Sequence, residues 1–494
     1  MKNVFMIVHG IDVNKGGMTT AMLDRSKIFY DNKINADIVT FDYKQNYDEI
    51  LNSLKKQGKM DKRTKMFNLF NYYKNKSSSK TIKYNKKLYN LVDDFIKNTI
   101  EIREDTKISR FFDTNTGEYK AYKIMKSKRE KVIDLFNNNK RFKRIYFKNN
   151  KIHQINVFNQ NNKVVYETFY DNKGFPYISR NINPKTGNVG RSYLLVDKIK
   201  FNNNAELCNY FLKELIKDIP NNIMICDGPG SFPKMLNTTH KKAKKLAIIH
   251  VNHHKNFKND GSVKEKEDYI IKNADNINGV IVLTESQKKD IKEEYDVKNV
   301  YTISNFIKVP KEKNFTQRKK IVGHISRIVA TKGIKYLLEV AELVIQEDEN
   351  VEFQIYGEGP EKEKIQEIIN EKGLNKNVKL LGYTSTPQQA IRDFKCVLST
   401  SQYEGQGLSM IEAMLLKKPV IAFNIKYGPS EFIINGNNGY LISNFDIKGM
   451  ANKVLNILNN DDLAEKLGEE ARKTIIEKYS SDNLLKKWKM LFDE

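Results

Sequence analysis

The sequence predicts an α/β protein: two parallel, doubly wound domains facing a cleft, with an antiparallel β-rich module inserted into the first. Three observations predict it. At 494 residues the chain exceeds what one hydrophobic core serves, so two or three domains are expected. Short apolar, β-prone runs alternate with helical patterns at the start of the chain and again after residue 205. Between them, residues 76–204 replace that alternation with aromatic and β-branched runs, broken by turn clusters about 12 residues apart.

Asn3 to His9 is an apolar first strand bounded by Gly10. Lys15-Gly16-Gly17 precedes a helical pattern from Met18 to Tyr30. Strand, glycine loop and helix make a Rossmann-like opening whose loop can approach a diphosphate. Because the full G-x-G-x-x-G is absent, a plain tight turn is an equal reading. Ala36 to Phe41 reads as a second strand, Ser77-Ser-Ser79 as a join, and the segment from there to Glu101 as a basic helix. Turn signals then fall at Asn149-Asn150, Asn161-Asn162, Asn172-Lys-Gly174 and Thr186-Gly187, which fits a meander. Exposed sheet edges need covering, so this module is expected to bind polymer or to self-associate.

Alternation resumes with a helix from Leu207 to Ile219 and strands Ile223–Cys226, Leu246–Val251 and Gly279–Leu283. Asp227-Gly-Pro-Gly230 and Asn252-His253-His254 follow the first two of these strands, and Thr284-Glu-Ser-Gln287 reads as a capping box. Tyr301–Ser304 closes the first domain and the Lys-rich 308–319 segment reads as a linker. A second parallel domain has strands at Ile321–Ile325, Glu352–Tyr356, Val378–Leu381, Val397–Ser399 and Pro419–Phe423. The expected division is 1–75 with 205–307, 76–204, 308–480, and a terminal helix over 481–494 that crosses back to the first domain.

Composition narrows the function classes. No apolar run approaches the roughly 18 residues of a membrane helix. Cys208, Cys226 and Cys396 have no metal spacing and form no even disulfide framework. The expectation is a cytoplasmic protein. Net charge +25 favours a polyanionic partner, with solvated basic faces as the plain alternative. Between Lys55 and Lys87 stand twelve Lys or Arg and one acid, Asp61. A nucleic-acid-binding protein is disfavoured, because no such motif appears.

The chemistry centres on Ser399-Thr-Ser-Gln-Tyr-Glu-Gly-Gln-Gly-Leu-Ser-Met-Ile-Glu412. Glu404 and Glu412 flank a Gly-x-Gly turn that ends at Gly407, and Leu408 and Ser409 open an apolar helix. Free amides at such a helix start hold phosphate, and flanking carboxylates address sugar hydroxyls. The bland reading is acids favouring a helix macrodipole. Arg327 and Lys332 follow the first strand of the same domain, and Gly357-Glu-Gly359 follows the next. In a parallel sheet these loops gather at one edge, where two cations neutralise a bound and leaving diphosphate. No Asp-x-Asp motif stands in these loops, so no metal or other cofactor is expected to be required. Adjacent His253 and His254, read as strand residues, point to opposite faces and lack an evident third ligand. Asp227 reads equally as a helix N-cap or an acceptor ligand.

Glu404-x7-Glu412, with Gly323-His-Ile-Ser-Arg327, Lys332-Gly333, Tyr356-Gly-Glu-Gly359 and Gly382-Tyr383, resembles the retaining GT-B glycosyltransferases of family 4. Asn14-Lys-Gly-Gly-Met18, the 76–204 insertion, Asp227-Gly-Pro-Gly-Ser-Phe232 and His250-Val-Asn-His-His254 extend the resemblance over the whole chain. They are similar to the wall-teichoic-acid α-glycosyltransferases, and within these to the poly(ribitol-phosphate) branch. The resemblance implies UDP-GlcNAc as donor and a polyol-phosphate polymer as acceptor. It implies that Arg327 and Lys332 hold the diphosphate, with the Gly16-Gly17 loop approaching from across the cleft. Glu412 then binds ribose, Glu404 faces the transferred sugar, and Gly407, Leu408 and Ser409 supply backbone donors. His250 lies near the sugar's primary hydroxyl and Tyr383 beside the uracil. Glu404, His250, Arg327 and Lys332 form the implied catalytic group. The resemblance further implies a homotrimer assembled through 76–204 and at most peripheral contact with the inner membrane face. A UDP-glucose-dependent poly(glycerol-phosphate) enzyme and a glycosyltransferase of Ser/Thr-rich protein are the alternatives.

Overall fold

The computed structural model describes residues 2–13, 16–80, 84–238, 243–255, 261–310 and 319–493. Asn14 and Lys15 of the glycine loop, and residues 311–318 of the expected linker, lie outside the described residues.

Among the described residues, strands β1 (Asn3–Ile7), β2 (Asn35–Thr40) and β3 (Met66–Asn68) open the chain, and ten strands, β4 to β13, lie between Thr99 and Phe201. Strands β14 (Asn222–Cys226), β15 (Lys244–Ile249), β16 (Gly279–Val282) and β17 (Val300–Thr302) complete a first parallel sheet, ordered 17-16-15-14-1-2-3. Strands β18 (Ile321–Ile325), β19 (Glu352–Tyr356), β20 (Val378–Gly382), β21 (Cys396–Ser399), β22 (Val420–Phe423) and β23 (Gly439–Ile442) form another, ordered 20-19-18-21-22-23. Helices cover both faces, which is why β14, β16, β21 and β22 are buried at every residue. Strand order reverses between β1 and β14 and between β18 and β21. At such switch points the carboxyl ends of neighbouring strands open a crevice. The loops carrying Gly17, Asp227, Arg327 and Glu404 all leave those four strands.

The β4–β13 sheet is an antiparallel meander in which each strand pairs with the next in chain order. Its hairpins joining β7 (Glu130–Asn137) to β8 (Lys140–Lys148) and β8 to β9 (Lys151–Phe158) turn on Asn138-Asn139 and Asn149-Asn150, all four with φ between 48° and 60°. Two-residue hairpins require the left-handed region at both positions, and Asn tolerates it better than other side chains.

The approach to this sheet differs from the sequence expectation. Ser77-Ser-Ser79 is not a loop but the end of a helix, Leu69–Lys80, and the basic segment divides into helix Lys86–Phe95 and strand Thr99–Arg103. Two contacts hold the serines helical: Ser77 Oγ bonds Asp171 Oδ2 at 2.8 Å, and Lys76 pairs with Asp197 at 2.6 Å. Leu69, Phe70 and Tyr73 of that helix share one core with Phe169, Tyr177, Ile178 and Leu194 of the meander and with Phe211 and Leu212 of the first domain. The far half of the meander has its own core around Phe111, Ile133, Leu135 and Ile145. The terminal helix, Ser481–Asp493, lays Leu484, Leu485, Trp488, Leu491 and Phe492 against Val4, Phe29, Ile34 and Phe306 of the first domain.

Candidate active site

Glycines set the backbone contacts that build the cleft. A Cβ on Gly357 would lie 1.8 Å from Ser326 O, and one on Gly359 would lie 2.1 Å from Ile328 O. The loops after β18 and β19 therefore touch backbone to backbone, tied by Ser326 N–H to Tyr356 O and Ile328 N–H to Glu358 O. Gly333, at φ 63°, presses on Thr400 O in the same way. That approach brings Lys332 Nζ to 2.5 Å from Glu404 Oε1, which also accepts from Ser401 Oγ at 2.8 Å. Arg327 on the same loop is exposed and makes no ion pair among the described residues. Tyr383 follows β20 at this edge and is 59% exposed.

Two helix starts confront each other across the cleft. Gly407, at φ 87°, caps helix Leu408–Leu415 without a side chain, leaving first-turn amides at Leu408 and Ser409. Gly16 caps helix Gly17–Asp31, again without a side chain. A Cβ on Gly17 would lie 3.8 Å from Leu408 Cδ1. Both N-termini carry partial positive charge, and together with Arg327 and Lys332 they favour a diphosphate between them. The seam is tightest at Gly405, whose Cβ would lie 2.0 Å from His250 O.

Glu412 stands one turn into its helix, and Asp24 two turns into the opposing one. Burial first, then the charge of Asp24, raises the Glu412 carboxyl from 4.5 to about 7. Burial likewise raises Asp24 to about 6, against the pull of Lys308 and Lys27.

His250 follows β15 with its side chain 9% exposed, and its Nε2 lies 3.0 Å from Asp227 Oδ1. Asp227 is fully buried and is also paired with the buried Arg25. Burial opposes its charge, but Arg25 and His250 hold its carboxyl below the ordinary range. Asp227 is thus neither a helix N-cap nor an exposed ligand: it orients His250 from behind. Sequence reasoning missed Arg25 and Asp24, which sit inside helix Gly17–Asp31 with no motif around them. The signal for Asp227 was its position at a strand end beside the His250 strand.

His253 and His254 depart furthest from expectation. They lie in a loop after β15, where the His254 N–H donates to Asn252 Oδ1 at 2.9 Å, and their rings turn to one side with centroids 4.1 Å apart. A third partner exists in Glu294, at the end of helix Glu285–Glu294. The strand alternation that would separate adjacent side chains does not apply to a turn. At the start of that helix, Thr284 accepts from Gln287 N–H at 3.2 Å, one half of the expected capping box. The Gln287 amide bonds Val251 O instead of closing the other half.

A family model described as Glycosyl transferases group 1 matches residues 305–474. Over 493 residues, all of both chains, the protein is 59% identical to a poly(ribitol-phosphate) alpha-N-acetylglucosaminyltransferase of Staphylococcus aureus (strain COL). It is 26% identical to a poly(glycerol-phosphate) alpha-glucosyltransferase of Bacillus subtilis (strain 168), covering 98% of this chain and 74% of that one. Among solved structures, a mutant of S. aureus TarM in complex with Fondaparinux, alpha-GlcNAc-glycerol and UDP superposes with a TM-score of 0.95 over the whole of both chains, at 59% identity.

Proposed function

The chain belongs to the group 1 glycosyltransferases, in the family of the poly(ribitol-phosphate) alpha-N-acetylglucosaminyltransferases, and from that membership we propose the reaction and the role of each cleft residue. The enzyme moves α-GlcNAc from UDP-GlcNAc to hydroxyls of poly(ribitol-phosphate) with retention of configuration. The observation that carries this is identity of 59% along the full length of both chains, which includes the meander as well as the catalytic domains.

In this reading the diphosphate lies between the two glycine-capped helix starts, held by the Leu408 and Ser409 amides, the Gly16-Gly17 loop, Arg327 and Lys332. Cleaving the sugar–phosphate bond builds negative charge on the leaving oxygen. Fixed cations and amide dipoles beside it therefore stabilise the transition state more than the bound donor. Glu412 accepts ribose hydroxyls, Tyr383 lies by the uracil and His250 by the sugar's primary hydroxyl. Glu404, with its Lys332 and Ser401 partners, is fixed over the transferred sugar. The acceptor hydroxyl attacks from the face the phosphate leaves, and that phosphate takes its proton. Arg327 and Lys332 supply the charge that a divalent ion supplies elsewhere, so the transfer step itself needs no divalent ion at the diphosphate. The net charge of +25 suits an acceptor with one phosphate per unit. The same reading has the enzyme act in the cytoplasm at the inner membrane face, as a trimer joined through the meander; no helix among the described residues is long and apolar enough to cross a membrane.

A donor and acceptor screen read by mass tests the assignment. UDP-GlcNAc with ribitol-phosphate oligomer should give a product heavier by one GlcNAc per event. Equal use of UDP-glucose, or preference for poly(glycerol-phosphate), would overturn it.

A further inference from the structure

Beneath the seam between the two domains lies a cluster that the transfer reaction does not use. His253 and His254 are both fully buried, and each presents Nε2 to the same carboxylate. His253 Nε2 lies 3.2 Å from Glu294 Oε2, and His254 Nε2 lies 2.9 Å from Glu294 Oε1. All three ligand atoms fall within 4.8 Å of one another. A tetrahedral zinc ion, with bonds of about 2.0–2.1 Å, sets neighbouring ligand atoms about 3.3 Å apart. Each imidazole already stands near that spacing from one carboxylate oxygen, His253 from Oε2 and His254 from Oε1. Glu294 is 31% exposed, so a fourth position can open to water, whereas the imidazoles are sealed from it. Two neutral imidazoles and one carboxylate form a borderline donor set that suits zinc over magnesium or calcium.

We propose that His253, His254 and Glu294 bind one zinc ion, and that this ion fixes the loop carrying His250 to helix Glu285–Glu294. The position gives the site its consequence. His253 stacks on Tyr427 of the second domain, with ring planes 7° apart and centroids at 5.9 Å. Tyr427 donates to Asp290 Oδ2 at 2.7 Å, and Asp290 lies on the helix that ends in Glu294. Asn252 of the same loop donates to Lys426 O at 3.2 Å. Zinc therefore ties together, on the first domain, the two elements that the second domain grips. Binding it stabilises the seam at Gly405 and His250 without entering the chemistry.

The rival arrangement is a plain hydrogen-bonded cluster, with both Nε2–H groups donating to Glu294. Untagged full-length protein, stripped with chelator and dialysed, separates the two. On titration with zinc it should take up one equivalent per chain by calorimetry and retain it through gel filtration, with a raised Tm. Cobalt(II) in place of zinc should give the intense visible bands of a tetrahedral ion. The thiolate charge-transfer band should be absent, because Cys208, Cys226 and Cys396 are all buried elsewhere. Glu294→Gln, which preserves shape, should lose the equivalent and the Tm response. Failure of the unsubstituted protein to bind zinc, cobalt bands of octahedral intensity, or undiminished binding by Glu294→Gln would each overturn the site. If Glu294→Gln fails to fold, the cobalt spectrum of the unsubstituted protein decides alone.

Discussion

In the proposed donor site, Glu412 is the group that would couple binding to pH. Its carboxyl rises from 4.5 to about 7, through burial and then Asp24, so the ligand-free fold favours the protonated acid. The folded state then holds a proton that the unfolded chain gives up between these values. This contribution to stability is present at low pH and is lost as pH rises through about 7. On the proposed role of Glu412, ribose hydroxyls donate to the ionised form, so binding UDP-GlcNAc should release a proton. Affinity should strengthen by up to about tenfold per pH unit below 7 and level off above it. Calorimetry without acceptor, in buffers of different ionisation enthalpy, measures both effects, and the esterified diphosphate does not itself titrate there. Glu412→Gln should flatten the profile, while Asp24→Asn should move its midpoint to lower pH. Asp227 acts one contact further back, by orienting His250. Asp227→Asn should cut turnover by about 10²-fold with little change in donor KM, the loss expected when a reacting group is misplaced. Combined with His250→Ala it should cost no more than His250→Ala alone; additive losses would mean that Asp227 works through some other group.

The elements show why only some of the site was legible in the sequence. Strand ends, glycine turns and helix starts are local, and each declares itself by residue type. Arg327, Lys332, Glu404 and the Gly407-Leu408-Ser409 turn could be placed at one sheet edge from pattern alone. Asp24, Arg25 and Glu294 could not, because each sits on a helix where an acid or base is ordinary and gains meaning only from what faces it. The pair His253-His254 departs for a related reason: strand alternation applied to them would carry the strand five residues past its end at Ile249, where a turn instead brings both rings together. Glycine substitutions test the element contacts directly. Gly16 has an ordinary φ of −77° and open space where a Cβ would stand, so Gly16→Ala should change stability by less than about 0.5 kcal/mol. Gly405→Ala would drive a methyl into the His250 backbone carbonyl. It should cost about 1–3 kcal/mol in denaturant melts and reduce transfer more than tenfold by prying the seam open. Equal effects of the two substitutions would contradict the closed contact.

At the scale of the molecule, the last helix links fold to catalysis. Trp488 packs edge-on to Phe29 with ring centroids 5.6 Å apart, and the Arg25 guanidinium lies 5.4 Å from the indole centre. Arg25 is also the partner of Asp227, which orients His250. A side chain at the end of the chain is thus three contacts from the cleft, and the helix that bears it follows directly from the second domain. Shared cores make the same point elsewhere: excising residues 76–204 would expose Phe211 and Leu212 as well as remove the meander, so single substitutions are the cleaner probes. Trp488 is the only tryptophan, and its fluorescence therefore reports docking of this helix alone. Because Leu484, Trp488 and Phe492 belong to the same core as β1 and helix Gly17–Asp31, fluorescence and far-UV circular dichroism should lose native signal at one denaturant midpoint. Trp488→Ala should cost about 3–5 kcal/mol. At denaturant-free temperatures where it remains folded, it should also lower turnover, because Arg25 loses one wall of its pocket. A fluorescence transition well before the dichroism change, or full turnover by Trp488→Ala, would separate the helix from the site.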